Sequence, residues 1–136
     1  MAGERVGAAL LEVDHANGVA DDQRALAAAA SLSSGLSFLI VRKQAKEHGT
    51  ENRLEGVYEP GQCVCLIEDV VTSGGAALEA VEALRDASLI VRTAVCAVDR
   101  EEGGVDALAR QAVRLWPIFR ASEVLEAAKM PAKPHG

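Results

Sequence analysis

Aromatic side chains are scarce in this sequence, with two Phe, one Tyr and one Trp among 136 residues. An all-β sandwich normally fills its core with more aromatic and Thr content, so that architecture is disfavoured. Cysteine is scarce too: Cys63, Cys65 and Cys96 form no regular framework, which excludes a disulfide-stapled secreted domain. All three lie in apolar runs and are expected as buried thiols. Basic charge is in deficit, 14 Lys and Arg against 20 Asp and Glu. A net charge of −6 argues against nucleic acid as a partner, because phosphate backbones attract basic surfaces. It leaves room for a small anionic ligand at a locally basic site. No segment approaches the roughly 18 apolar residues of a membrane span. No basic stretch followed by an apolar run opens the chain. The expectation is a cytoplasmic protein without a membrane partner. His15, His48 and His135 make no metal-ligand spacing with the cysteines, so no protein-held metal is expected.

What is present is an apolar fraction of 49%, mostly Ala, Val and Leu, enough for one domain over residues 1–136. Val6–Val13 suits a strand or a helical turn, and Asp14–Gln23 a loop. Arg24–Ser33 favours a helix on propensity, with Gly35 as its stop. Phe38–Val41 reads as a buried strand. Arg42–Glu59 is long, charged and without helical periodicity, an extended loop or a mobile hairpin, and Pro60-Gly61 makes a turn. Cys63–Ile67 is a second strand, and a helix begins near Ala76 with Leu78, Val81 and Leu84 at helical spacing. Ile90–Val98 is a third strand, Asp99–Gly104 a charged loop and Val105–Gln111 a short helix. Val113–Trp116 is a short strand closed by Pro117, and Ser122 caps a last helix through Ala128. Met130–Gly136 reads as a frayed tail. Strands alternating with helices give an α/β fold, a mainly parallel, Rossmann-like sheet flanked by helices. Ligands in such folds bind beyond the C-terminal strand ends. The polar segments starting at Arg42, Glu68 and Asp99 all begin there.

The segment from Cys65 to Ala76 carries the most chemistry: a strand, the acids Glu68-Asp69, Val70-Val71, the hydroxyls Thr72-Ser73, then Gly74-Gly75 and a helix. Small residues at a helix N-terminus let an anion approach main-chain N–H groups, and the helix dipole favours it there. Two acids just upstream would repel that anion, so they suit neutral sugar hydroxyls instead. The same residues also fit a plain strand–turn–helix connection with surface acids. Neither GxxxxGK[ST] nor GxGxxG occurs, which disfavours the two commonest nucleotide folds.

This segment resembles the signature of type I phosphoribosyltransferases, which use 5-phosphoribosyl-1-diphosphate (PRPP). The resemblance implies that Glu68 and Asp69 grip the ribose hydroxyls, with Asp69 counted among the catalytic residues. It implies a PRPP segment running through Val70, Val71, Thr72, Ser73, Gly74, Gly75 and Ala76. The run Arg42-Lys43-Gln44-Ala45-Lys46-Glu47-His48-Gly49-Thr50 is similar to the mobile catalytic loop of the orotate branch. Arg42, Lys43, Lys46 and His48 would then contact PRPP across a homodimer, with Lys46 and His48 acting on the leaving diphosphate. Cations there stabilise charge that builds as the C1–O bond breaks. Val98-Asp99-Arg100-Glu101 matches the place where that branch holds the orotate carboxylate, giving that role to Arg100 together with Thr72; a planar guanidinium suits it. A plain surface role for Arg100 or His48 also fits the residues alone. The family resemblance further implies Mg²⁺ bound through PRPP. It runs from about Leu26 to Val124.

Two features depart from that pattern. Met1–Asp14 has no counterpart of the family's N-terminal hood, which reads as a shortened or altered N-terminus. Where the family has a Gly-rich diphosphate loop, this sequence has Ala20-Asp21-Asp22-Gln23-Arg24. A PRPP-binding regulatory or inactive homologue is therefore the alternative expectation.

Overall fold

The computed structural model describes residues 32–33, 35–42 and 53–129, and the backbone of 6–12. Among these, the apolar runs form six strands: β1 (Val6–Glu12), β2 (Phe38–Arg42), β3 (Leu54–Glu55), β4 (Cys63–Val71), β5 (Ile90–Asp99) and β6 (Arg114–Arg120). Helices α1 (Gly75–Asp86), α2 (Gly104–Arg110) and α3 (Ala121–Lys129) follow β4, β5 and β6. The sheet order is β3-β2-β1-β4-β5-β6. Every neighbouring pair is parallel except the β2–β3 hairpin. The chain steps from β1 outward to β2, then returns to β4 and proceeds outward through β5 to β6. Strand order therefore reverses between β1 and β4, the place where open α/β sheets bind ligands.

Alternation along β4 explains which side is core. Val64 and Leu66 are fully covered, while Cys63, Cys65 and Ile67 between them are half-buried, as a period of two requires. Val64 and Leu66 join Val91, Ala94 and Cys96 of β5 and Ala77, Ala80, Val81 and Leu84 of α1 in one apolar cluster. Burying a side chain the size of Leu66 or Leu84 contributes about 1.5–3 kcal/mol each. Of the three cysteines, only Cys96 is fully buried; Cys63 and Cys65 sit half-covered on the other face.

Both α1 and α2 stop without glycine. Ser88 takes φ +64 and Ala112 φ +59. Around α1, the N–H of Ser88 donates to the Arg85 carbonyl at 2.9 Å and that of Leu89 to Leu84 at 3.1 Å. Around α2, Ala112 donates to Ala109 and Val113 to Leu108, each at 3.0 Å. These are paired Schellman closures, each followed by a buried residue, Leu89 or Val113.

Several sequence expectations shift. The run that begins at Val6 is a strand over Val6–Glu12, not a helical turn. β4 runs past Ile67 to Val71, so the acid pair lies within the strand rather than after it. β6 continues through Pro117 to Arg120; it is an edge strand, where a missing N–H is tolerated. Ser122 is inside α3 rather than its cap. The charged stretch after β2 is a hairpin at its far end, with Val41 opposite Leu54 and Ile40 opposite Glu55. Residues 32–33 are helical and Gly35 has φ +71, in keeping with a helix stopping there. The remainder of that expected helix, the 14–23 loop, residues 43–52 and the tail from 130 lie outside the described residues.

Candidate functional site

Strands β4, β5 and β6 end flush, with Val71 opposite Asp99 and Asp99 opposite Arg120. The polar segments that begin at Glu68 on β4 and at Asp99 on β5 therefore meet. The Arg100 N–H donates to the Val71 carbonyl at 2.9 Å, which carries Arg100 alongside Thr72. The α2 start closes over the same corner, because Gly104 packs directly on Val71 and the Thr72 carbonyl.

On the α1 side of this corner, Glu68, Val70, Val71, Thr72, Gly74, Ala76 and Ala77 line a small open recess of about 30 Å³. Glu68 continues the inward face of Val64 and Leu66 and is only 3% exposed. Its Oε1 has no hydrogen-bond partner. Burial, with the Asp69 charge second, pushes its carboxyl up to about 8; a neutral acid is the form that tolerates such a place. Asp69 faces the other way, half-buried, with Oδ1 accepting the Val70 N–H at 2.7 Å. The two acids thus serve opposite faces of one strand.

Thr72, Ser73, Gly75 and Ala76 are exposed around the α1 N-terminus, while Gly74 is buried. Gly74 takes φ +93, the left-handed turn that swings the chain from strand to helix. No side chain caps α1 and its first turn holds no acid. The leading N–H groups of a helix point at whatever lies beyond its end, and here that is the recess side. Such a corner can seat an anion on main-chain donors and offer acid oxygens to hydroxyls beside it.

The other sequence-singled residues divide between the described and undescribed regions. Arg42 ends β2, half-buried and ion-paired with Glu55 across the hairpin; its N–H donates to the Arg53 carbonyl at 2.6 Å. Arg100 is exposed, with Nη2 3.8 Å from Glu102 Oε1. Lys43, Lys46 and His48 lie outside the described residues. Among the described residues no three His, Cys, Asp or Glu side chains converge to hold a metal, and no helix is long and apolar enough to cross a membrane.

Sequence reasoning missed three residues that build the corner. Asp99, 2% exposed, accepts the Glu101 N–H on Oδ1 at 2.9 Å. Glu101 Oε1 accepts the Ser122 N–H at 2.7 Å. Gly104 permits the close approach to Val71. An Asp two residues ahead of a turn, followed by paired glycines, was the available local signal.

No family model matches the chain. An orotate phosphoribosyltransferase of Halobacterium salinarum is 47% identical over 102 residues, 75% of this chain and 58% of that protein. One from Natronomonas pharaonis is 41% identical over 122 residues, 90% of this chain and 68% of that protein. The crystal structure of orotate phosphoribosyltransferase from Aeropyrum pernix superposes with a TM-score of 0.76 at 30% identity, over 92% of this chain and 66% of that one. The chain thus spans little more than half the length of the first of these relatives. Fold, acid–glycine corner and these likenesses agree, and the chain belongs to the type I phosphoribosyltransferase family, most like its orotate phosphoribosyltransferases.

Proposed function

We propose that the chain transfers the phosphoribosyl group of PRPP to N1 of orotate, releasing diphosphate and giving orotidine 5-monophosphate, a step of cytoplasmic UMP biosynthesis. One observation carries the reading: the 2.9 Å hydrogen bond from Arg100 N–H to the Val71 carbonyl. It ties the backbone of Arg100, a residue whose guanidinium suits a carboxylate, to the strand end that leads into a corner suited to a sugar phosphate. Identities of 47% and 41% with named orotate phosphoribosyltransferases support the same choice of acceptor.

In this reading the 5-phosphate sits on the main-chain donors of residues 72–76, and Glu68 and Asp69 hold the ribose hydroxyls. A Glu68 carboxyl raised to about 8 is protonated at neutral pH. It then adds no second negative charge beside the phosphate and can donate as well as accept. Asp69, on the opposite face of the strand end from Glu68, is the acid this reading assigns to offset the positive charge that develops on the ribose as the C1–O bond breaks. The C1–N1 bond forms and the N1 proton leaves to solvent. Lys46 and His48, assisted by Arg42 and Lys43, stabilise and protonate the departing diphosphate, with the 42–50 loop reaching the neighbouring subunit of a homodimer. The oxygen-only donors at this corner suit Mg²⁺ carried on the diphosphate with its waters. Bound so, the ion would neutralise the leaving group. Residues 1–136 act as one phosphoribosyltransferase-like domain.

Purified chain given PRPP, orotate and Mg²⁺ should consume orotate, and Lys46→Ala and Arg100→Ala should each lose most of that rate. The second reading, a PRPP-binding regulatory or inactive homologue, is favoured by Asp21 and Asp22 where the family has a Gly-rich diphosphate loop. It predicts calorimetric PRPP binding with no turnover above the Lys46→Ala background.

A further inference from the structure

Glu101 sits at φ +60, a conformation non-glycine residues rarely take and that persists where surrounding contacts over-determine it. Three contacts do so here. Arg100, its neighbour, is stitched to Val71 through the main chain. The Glu101 N–H is taken by the buried Asp99 carboxylate at 2.9 Å. The Glu101 side chain reaches away from the recess to accept the Ser122 N–H at 2.7 Å. Ser122 is the second residue of α3, a helix with no buried residue of its own. Hydrogen bonds from Ser122 hydroxyl and N–H, with Arg120 nearby, hold the Glu101 carboxyl below the usual carboxylate range. The acid stands at a helix N-terminus, where the dipole favours it.

These contacts commit the Glu101 side chain to α3 and its N–H to Asp99, while its neighbour Arg100 keeps an exposed side chain. We infer that Glu101 is a positioning residue: it latches the left-handed turn after β5 to the N-terminus of α3 and so holds Arg100 beside Thr72 for the acceptor carboxylate. The inference rests on the proposed transfer reaction for its consequence, but the latch itself does not. A plain helix cap would change stability alone. A latch on the Arg100 turn also changes how well the acceptor binds, and leaves the sugar-phosphate corner intact.

The test compares wild type, Glu101→Ala, Glu101→Gln and Glu126→Ala, the last an exposed acid within α3. Amide hydrogen exchange over residues 99–104, read without substrate, should quicken in Glu101→Ala and stay unchanged in Glu126→Ala. The orotate KM should rise about tenfold in Glu101→Ala, the scale of one charge-assisted hydrogen bond, with the PRPP KM within about twofold. Glu101→Gln keeps an acceptor oxygen and should recover part of both effects. A Glu101→Ala protein that melts earlier yet keeps wild-type exchange at 99–104 and wild-type orotate KM overturns the inference. Should wild type turn over no orotate, the transfer reading fails by itself, and the exchange result alone decides for or against the latch.

Discussion

Gly104 lies against Val71 so closely that a methyl group on it would overlap Val71 Cγ1 and come within 2.9 Å of the Thr72 carbonyl. This contact locks the start of α2 to the end of β4, whose residues line the recess. Gly104→Ala must therefore displace both the buried, β-branched Val71 side chain and the Thr72 backbone carbonyl. Overpacking of this kind costs about 1–3 kcal/mol. Denaturant unfolding should show a lowered midpoint with an unchanged slope.

Glu68 makes stability depend on pH. Its folded-state carboxyl is raised from an ordinary 4.5 to about 8 by burial and by Asp69, so the folded chain holds the proton more tightly than the unfolded one. Its contribution is most favourable below about 4.5 and is lost as pH rises through about 8. The slope reaches about 1.4 kcal/mol per pH unit at most. Glu68→Gln mimics the neutral acid and should flatten the melting temperature across that window. An unaltered pH profile in the variant would show that Glu68 is ionised in the folded chain.

Ala112 closes α2 at φ +59, where a Cβ costs about 1–2 kcal/mol. Glycine relieves that strain and gives back part of it through a freer unfolded chain. Ala112→Gly should stabilise by about 0.5–1 kcal/mol, read as a higher melting temperature.

The parallel sheet and the site corner were legible in the sequence because their signals are local. Compact apolar runs marked β2, β4 and β5, and acids followed by small residues marked the recess. Boundaries failed where the signal is tertiary. Glu68 reads as a loop acid until β4 is seen to carry it in register with Cys96 of β5, where it is buried. Pro117 reads as a stop because local sequence does not tell an edge strand from a central one. The ends of α1 and α2 carry no glycine to mark them, since Ser88 and Ala112 take the left-handed position instead. The α3 cap comes from Glu101, 21 residues before Ser122, beyond the reach of any local pattern.

Titration calorimetry with PRPP and Mg²⁺ on wild type and Asp69→Asn tests the assignment of the corner most directly. Wild type should bind, and Asp69→Asn should bind at least about tenfold more weakly, the scale of a lost charged hydrogen bond, with its melting temperature little changed. Equal affinities in the two proteins, or no heat from wild type, would contradict a sugar-phosphate seat at the end of β4.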